Sequence, residues 1–386
     1  MPTSDRRLRI AFVVHDYNRR MGHSRYVAEL AARFKRDHEV HVFANTFEEP
    51  DPTGLSYHHV PAWRANALAS ILSFVVPATV LVRGRFDVVH AQGLCGLRQN
   101  VITAHICQPA WFEAADRYAG RPGMRKRVFR EFVTRLDRLV MRPRAAARFI
   151  VPSERVRGEL HRHYRLTDRV RVVRHGTDTE AFHPRNRARW RGAVRTELGL
   201  HESDFLALYV GDLQKAMPAA MRAVARAADV QLVAVTRSDP RPYARLAAAE
   251  RIADRARFVP ATANIEPYYA AADVFLFPTF YDAFGLVAAE AMATGLPVIT
   301  SRAAGAAELI DHGESGWLTA DPWNVDQIAE GLRTLAADPA LRQRMGAAAR
   351  SKIEAYTWDR AAEQTMAVYH EAVALARRGN PPEGGQ

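Results

Sequence analysis

Apolar and polar positions change their period along the chain in a repeating order. Leu8–Val14 (LRIAFVV) is a near-continuous apolar run, as expected of a strand buried on both faces. Residues 24–34 (SRYVAELAARF) put Tyr26, Val27, Leu30, Ala31 and Phe34 on one side of a helix. HEVHVFA alternates as a second strand, and FDVVHA, NVITAHI and ARFIVPS follow as short strands between helical stretches. Residues 172–186 (VVRHGTDTEAFHPRN) are polar, hold Gly176 and Pro184 and keep no period, so they read as a linker. The pattern then restarts. FLALYVGD, VQLVAV, ARFVP, DVFLFP, LPVIT and GWLTA are six strand candidates, with helices between them and from Val325 to about Arg377. Strands alternating with helices predict parallel sheets covered on both faces. Two doubly wound α/β domains in tandem, facing across a cleft, are therefore expected, with a disordered tail GNPPEGGQ.

A length of 386 residues agrees with two cores better than one. Cys95 and Cys107 are the only cysteines, which implies no disulfide framework and a reducing, cytoplasmic setting. The N-terminal apolar run is too short for a signal peptide and reads as a strand. Residues 67–82 (ALASILSFVVPATVLV) fall short of a bilayer span and contain Pro77. A buried helix is the expectation there, and an in-plane membrane segment the alternative. Net charge is +12, with arginine concentrated in 121–174. Such a surface attracts nucleotides, phosphorylated lipids or acidic membranes, or is simply a solvated arginine-rich face. The basic stretch has no zinc-ligand spacing, RNP pattern or heptads, so nucleic acid is not expected as a partner.

Ligands of open parallel sheets bind beyond the carboxyl ends of the strands. Neither half carries GxGxxG, GxxxxGK[ST] or HExxH, so no nicotinamide, flavin, P-loop or zincin site is expected. The run YDAFGLVAAEAMATGLPVI follows DVFLFPTF. It places Asp282 on a strand-to-helix turn and Glu290 about two helical turns on, with the helix expected to begin at Phe284–Gly285. Their separation is on the order of 8–12 Å, too wide for a retaining-glycosidase pair. Between them the N–H groups of Phe284, Gly285 and Leu286 form an anion site at a helix N-terminus. Acid, anion site and acid suit sugar hydroxyls, a diphosphate and a ribose diol on one long ligand.

This run resembles the E-x7-E signature of retaining family-4 glycosyltransferases, and the resemblance extends over YYAAADVFLFPTFYDAFGLVAAEAMATGLPVITSRAAGAAELIDHGESGWL. RMGHSRYVAELAARF resembles that family's glycine loop and first helix, VITAHIC its histidine-bearing strand, VVRHGTDTEAFHP its interdomain segment and LYVGDLQKA its lysine turn. The nearest resemblance within the family is to lipopolysaccharide-core glucosyltransferases.

The resemblance implies the B-type glycosyltransferase fold: an acceptor-side domain over 1–185, a donor-binding domain over 186–357, and a C-terminal helix over 358–378 crossing back to the first domain before a disordered tail, 379–386. Carried over, it implies that Glu290 binds the donor ribose, Asp282 contacts the donor sugar, and Lys215, on the turn after Gly211, neutralises the diphosphate. Gly22 would let backbone approach the diphosphate, and His105 would sit beside the transferring sugar. The implied reaction moves a sugar from a nucleotide sugar to an acceptor hydroxyl, with retention and without metal or cofactor. The basic stretch 121–174 and the apolar run 67–82 suit work at the inner face of the cell membrane on a sugar, lipid-linked or lipopolysaccharide-type acceptor, the alternative being a soluble enzyme with a small-molecule acceptor. A same-fold sugar-nucleotide epimerase and a degenerate partner subunit are the alternatives.

The chain departs from the family pattern at four points. The first acid is Asp282; Met21 replaces a glycine; the lysine turn is short; and Asp212 stands where arginine is common, so that Arg19, Arg20 or Arg174 would have to supply that cation. Two local patterns have plainer readings. Cys107, two residues beyond His105, is a buried thiol rather than a nucleophile. Asp178-Thr-Glu180 is a capped turn rather than a metal site.

Overall fold

The computed structural model describes residues 6–19, 22–51, 53–84, 86–142 and 146–379. The chain folds as two compact units: one of residues 1–113, 121–175 and 358–386, the other of 114–120 and 176–357. The changeover thus falls at His175/Gly176 rather than at 185/186.

In chain order the first unit holds β1 (Arg9–Val13), β2 (Asp16–Asn18), α1 (Gly22–Phe34), β3 (Glu39–Ala44), β4 (Thr46–Glu48), β5 (Ser56–His59), α2 (Ala67–Leu81), β6 (Val88–Gln92) and β7 (Val101–Thr103). It continues with α3 (Gln108–Tyr118), whose last residues belong with the second unit, then α4 (Met124–Val140), β8 (Arg148–Val151), α5 (Glu154–Tyr164) and β9 (Val170–Val172). The second unit holds α6 (Asn186–Glu197), β10 (Phe205–Val210), α7 (Met217–Arg226), β11 (Val230–Thr236), α8 (Arg241–Ala249), β12 (Ala256–Pro260) and α9 (Glu266–Ala271). There follow β13 (Val274–Phe277), α10 (Leu286–Ala293), β14 (Val298–Ser301), β15 (Gly316–Thr319), α11 (Val325–Ala337) and α12 (Pro339–Ile353). The last helix, α13 (Trp358–Gly379), belongs with the first unit.

Each unit is built on a parallel sheet, β5-β3-β1-β6-β7-β8-β9 in the first and β12-β11-β10-β13-β14-β15 in the second. β2 and β4 form a separate parallel pair. Both main sheets are doubly wound. The chain leaves β1 towards β3 and β5, then crosses to β6 on the other side; β10, β11–β12 and β13 repeat this. The gaps β1/β6 and β10/β13 are topological switch points, where loops diverge at the carboxyl edge and leave room for a ligand.

The strands are apolar because both faces are covered. Ile10, Ala11, Phe12 and Val13 in β1 are buried, as are Phe205–Tyr209 in β10 and all of β13. The second core also encloses charge. Asp273 accepts from Arg195 Nη2 (2.6 Å), Arg187 Nη2 (3.0 Å) and Leu206 N (2.9 Å), which fastens α6 to the sheet. In the first unit Glu371 of α13 takes Arg148 Nε (2.5 Å) and Arg171 Nη2 (2.8 Å) from β8 and β9, and Tyr369 reaches His90 of β6.

α2 is not the buried helix expected. Phe74, Val75 and Ala78 are covered, but Val76 (61%) and Val80 (56%) face solvent. A stretch apolar on every side hides its polarity from the sequence, and the sheet beneath covers one face of it. Among the described residues no helix is long and apolar enough to cross a membrane.

Candidate active site

The second unit's site starts from two strands. β10 ends at Val210; Gly211 turns with φ 136°, a conformation costly for side-chain-bearing residues, and a short 3-10 turn carries Leu213–Lys215. Asp212 caps that turn. Its Oδ1 accepts from Gln214 N (3.0 Å) and Ser238 Oγ (3.1 Å), so the acid standing where arginine is common serves the turn itself. β13, beside β10 in the sheet, leads into Thr279–Ala283. The two switch-point loops meet: Phe280 N donates to Lys215 O (3.2 Å), and Lys215 Nζ lies 3.1 Å from Asp282 Oδ2. The neighbouring Asp282 carboxylate raises the Lys215 pKa, so the ammonium is fixed as a charge.

Asp282 is held on its backbone as well. It forms a parallel bridge to Ala304, its N donates to Ala303 O (3.3 Å), and its O accepts from Gly305 N (2.9 Å). Gly305 is glycine for want of space: a Cβ there would lie 2.2 Å from Ala283 O and 2.8 Å from Phe284 Cα. The helix starts at Leu286, later than the expected Phe284–Gly285, because Gly285 adopts φ 92°, outside the helical region. Phe284 N turns back to Asp282 Oδ1 (3.3 Å), whereas the N–H groups of Gly285 and Leu286 have no acceptor among the described residues. With no capping side chain at Gly285, the helix presents donors and the positive end of its dipole beside Lys215 and Asp282.

Glu290 lies on α10 and is 6% exposed. Its Oε2 accepts from the hydroxyl of Tyr269 (3.0 Å), which also lies 3.1 Å from Val287 O. One hydroxyl carries one proton, and the carboxylate is the stronger acceptor. Tyr269 is fully buried, edge-on to Phe182 (5.4 Å) and tilted on Phe275 (5.6 Å), so its hydroxyl is fixed. Sequence reasoning missed this tyrosine. Its only trace is the aromatic pair in EPYYAAADVF. It also missed Arg237 and Arg302, exposed cations just beyond β11 and β14 at the same sheet edge.

In the first unit β7 ends at Thr103, so His105 lies on the loop beyond the strand. His105 Nε2 bonds Gln92 Oε1 (2.8 Å) at the end of β6. Its ring faces Tyr26 (5.3 Å), His175 (5.5 Å) and His23 (5.7 Å). Burial, then His175, His23 and His90, hold its pKa well below the usual histidine value, so it is a neutral imidazole at neutral pH. His90 serves packing: it is buried between Tyr369 OH (2.7 Å) and Thr103 Oγ1 (2.6 Å), and burial brings its pKa down to about 3. Cys107 is fully buried, and burial pushes its thiol up to about 12, which leaves no thiolate for nucleophilic work.

A Cβ at Gly22, the first residue of α1, would meet nothing within 4 Å. Arg19 and Arg174 belong to the first unit; Arg20 and Met21 lie outside the described residues, as does the expected disordered tail beyond Gly379. Asp178 Oδ1 accepts from Glu180 N (3.1 Å) and Ala181 N (2.9 Å), and Glu180 pairs with Arg185 (2.7 Å), so both acids are engaged in their own turn.

Comparison with known proteins finds one family on each half. Residues 21–181 match Glycosyltransferase Family 4 and residues 191–352 match Glycosyl transferases group 1. A D-inositol 3-phosphate glycosyltransferase of Streptomyces bingchenggensis is 35% identical over 61% of this chain, and the match spans little more than half (55%) of that relative's own length. One from Pseudarthrobacter chlorophenolicus is 28% identical over 90% of both chains. Among solved structures, a sucrose-phosphate synthase from Thermosynechococcus elongatus aligns at TM-score 0.79 with 23% identity, covering 96% of this chain and 100% of its own. WaaG, a glycosyltransferase involved in lipopolysaccharide biosynthesis, aligns at TM-score 0.77 with 20% identity and the same coverage. With a family 4 domain followed by a group 1 domain, in the GT-B architecture, the chain belongs to the glycosyltransferases.

Proposed function

We propose that this protein transfers a sugar, with retention of anomeric configuration, from a nucleoside-diphosphate sugar to an acceptor hydroxyl, and that it does so at the cytoplasmic face of a membrane in envelope polysaccharide, lipopolysaccharide or glycolipid synthesis. The observation that carries the reading is the Lys215–Asp282 pair at the β10/β13 switch point, beside the uncapped N-terminus of α10 and with Glu290 further along that helix. On this reading Lys215 and the N–H groups of Gly285 and Leu286 stabilise the departing diphosphate. Asp282 accepts from sugar hydroxyls and Glu290 from the ribose diol. The protein contributes electrostatic stabilisation and positioning, and the leaving phosphate takes the acceptor proton.

The membrane part rests on two helices of the first unit. Met124, Val128, Phe132 and Leu139 lie exposed along one side of α4, with Arg135 among them and Arg125, Arg127 and Arg138 to either side, while Val133 and Val140 pack inward. Val76 and Val80 are exposed on α2. An apolar stripe between arginines suits the boundary of an anionic bilayer.

A thermal-shift panel of UDP-, GDP- and ADP-sugars tests the donor, because a ligand that binds only the folded state must stabilise it. NMR of the product's anomeric proton tests retention, and turnover is expected to survive EDTA. Release of free sugar without an acceptor would assign hydrolysis instead. Vesicles containing anionic lipid should co-sediment the protein at low salt and release it by about 0.3 M salt. Absence of binding at low salt would favour a small soluble acceptor such as the inositol phosphate named for the relatives.

A further inference from the structure

A polar cluster of the first unit gathers at the start of α2. Ser70 Oγ lies 2.8 Å from His15 Nε2, and His15 Nδ1 lies 3.0 Å from Asp16 Oδ2. The three come from different elements: His15 from the loop after β1, Asp16 from β2 and Ser70 from the first turn of α2. Each is held by further neighbours. Asp16 is paired with Thr46 across β2 and β4 and its Oδ1 accepts from the Thr46 hydroxyl (2.6 Å), while Arg64 Nη2 lies 3.0 Å from both carboxylate oxygens. The His15 ring rests against Phe74 (4.8 Å). Burial raises the Asp16 pKa, but the bonds from Thr46 and His15 and the Arg64 charge outweigh it and leave the group below the usual aspartate value. An ionised Asp16 takes the Nδ1–H of His15. His15 Nε2 is then an acceptor, and the Ser70 hydroxyl donates to it. Nucleophile, base and orienting acid thus stand in the order and at the distances that activate a hydroxyl. Donors for an oxyanion lie on the same turn. Asn66 Oδ1 takes Ala69 N (2.9 Å), but the N–H groups of Ala67 and Leu68 have no acceptor among the described residues. Side chains on a helix lean towards its N-terminus, which brings the Ser70 hydroxyl over that turn.

We propose that Ser70, His15 and Asp16 form a second active site, which hydrolyses short acyl esters. Ser70 Oγ attacks the acyl carbon as its proton passes to His15 Nε2. The ester C–O bond breaks, and the alkoxide leaves with that proton. Water then attacks the acyl-serine by the same route, which releases the carboxylic acid and restores Ser70. All three residues are half-buried rather than sunk in the core, which suits a short acyl chain. No step involves a sugar nucleotide, so this activity is independent of glycosyl transfer.

The full-length protein is treated with a fluorophosphonate, which captures activated serines, and separately with p-nitrophenyl acetate. Peptide mass mapping should find the phosphonate on Ser70, ahead of every other serine, and the ester should turn over repeatedly. Ser70→Ala should abolish both signals. Ser73→Ala, one turn on, removes a hydroxyl that bonds Ala69 O (2.6 Å) and should change neither. His15→Gln should slow labelling and turnover by about 100- to 10,000-fold, the range for a general base. The isosteric Asp16→Asn should slow both by a smaller factor, because the acid only orients the imidazole, and it carries the test if His15→Gln does not fold. A wild-type protein whose Ser70 is labelled no faster than its other serines overturns the proposal. So does Ser70 labelling that is as fast in His15→Gln and Asp16→Asn as in wild type, which would mark the cluster as a packing contact. Labelling of Ser70 without turnover of the acetate overturns the hydrolytic step.

Discussion

Gly305→Ala tests whether the Asp282 loop is positioned by contact with its neighbour. The added Cβ would sit 2.2 Å from Ala283 O and 2.8 Å from both Ala283 C and Phe284 Cα. Ordinary carbon–oxygen contact begins near 3.2 Å, so the backbone must separate by about 1 Å, and no flexible side chain can yield instead. Overpacking of this kind costs about 1–3 kcal/mol, or roughly 2–10 °C in Tm for a unit of this size. The greater effect falls on binding. Asp282 and the start of α10 hang on the displaced segment, and a misplacement of about 1 Å costs on the order of 100-fold in function. Calorimetry with the preferred sugar nucleotide should show that loss. The control is Gly192→Ala on α6, where the new Cβ meets nothing within 4 Å and helix propensity predicts a gain of about 0.5–1 kcal/mol. A Gly305→Ala protein with wild-type Tm and wild-type donor affinity would refute the argument that this contact places the site.

Tyr269→Phe deletes only the hydroxyl on Glu290 and should weaken donor affinity by about 5- to 20-fold, while Glu290→Ala abolishes measurable binding with the fold retained; wild-type affinity in either removes that residue from the ribose site. Lys215→Met should raise the Kd for nucleoside diphosphates by about 10- to 100-fold and leave nucleosides unaffected, and an equal loss for both would mean that the lysine acts through packing. Asp137, buried on α4 against the Tyr164 hydroxyl, has its pKa pushed up by burial to about 6. An unfolded aspartate titrates near 3.9, so between about pH 4 and 6 the folded state holds the extra proton and stability falls as pH rises; Asp137→Asn should therefore raise Tm at pH 7.5, by up to about 3 kcal/mol of stability, and give little at pH 4. A gain of equal size at both pH values would count against a buried charge as the cause.

Much of this was legible locally. An apolar run, an alternating run and a run of period 3.6 each declare an element from neighbouring residues, so two parallel sheets could be read without coordinates, but the three- and four-residue strands β2, β4, β5 and β9 carry too little pattern and were missed. The two acids and the helix N-terminus came the same way, because Asp282, Gly285 and Glu290 lie on one turn and one helix, whereas Gly211, Lys215, Gly22 and His105 were marked only by the family resemblance. The sequence could not decide partners drawn from distant segments. Lys215 meets Asp282 because β13 is laid beside β10, after β11 and β12 have gone to the other edge. Tyr269 reaches Glu290 only when α9 packs under α10, Gln92 reaches His105 only when β6 and β7 pair, and Gly305 is needed only because Ala283 comes to lie against it. The start of α10 followed the φ of Gly285, and the exposed face of α2 followed where the sheet lay. Periodicity reports which face of an element is apolar, since that depends on neighbours along the chain; which groups meet depends on strand order and loop crossing, and those are settled only when the sheets assemble.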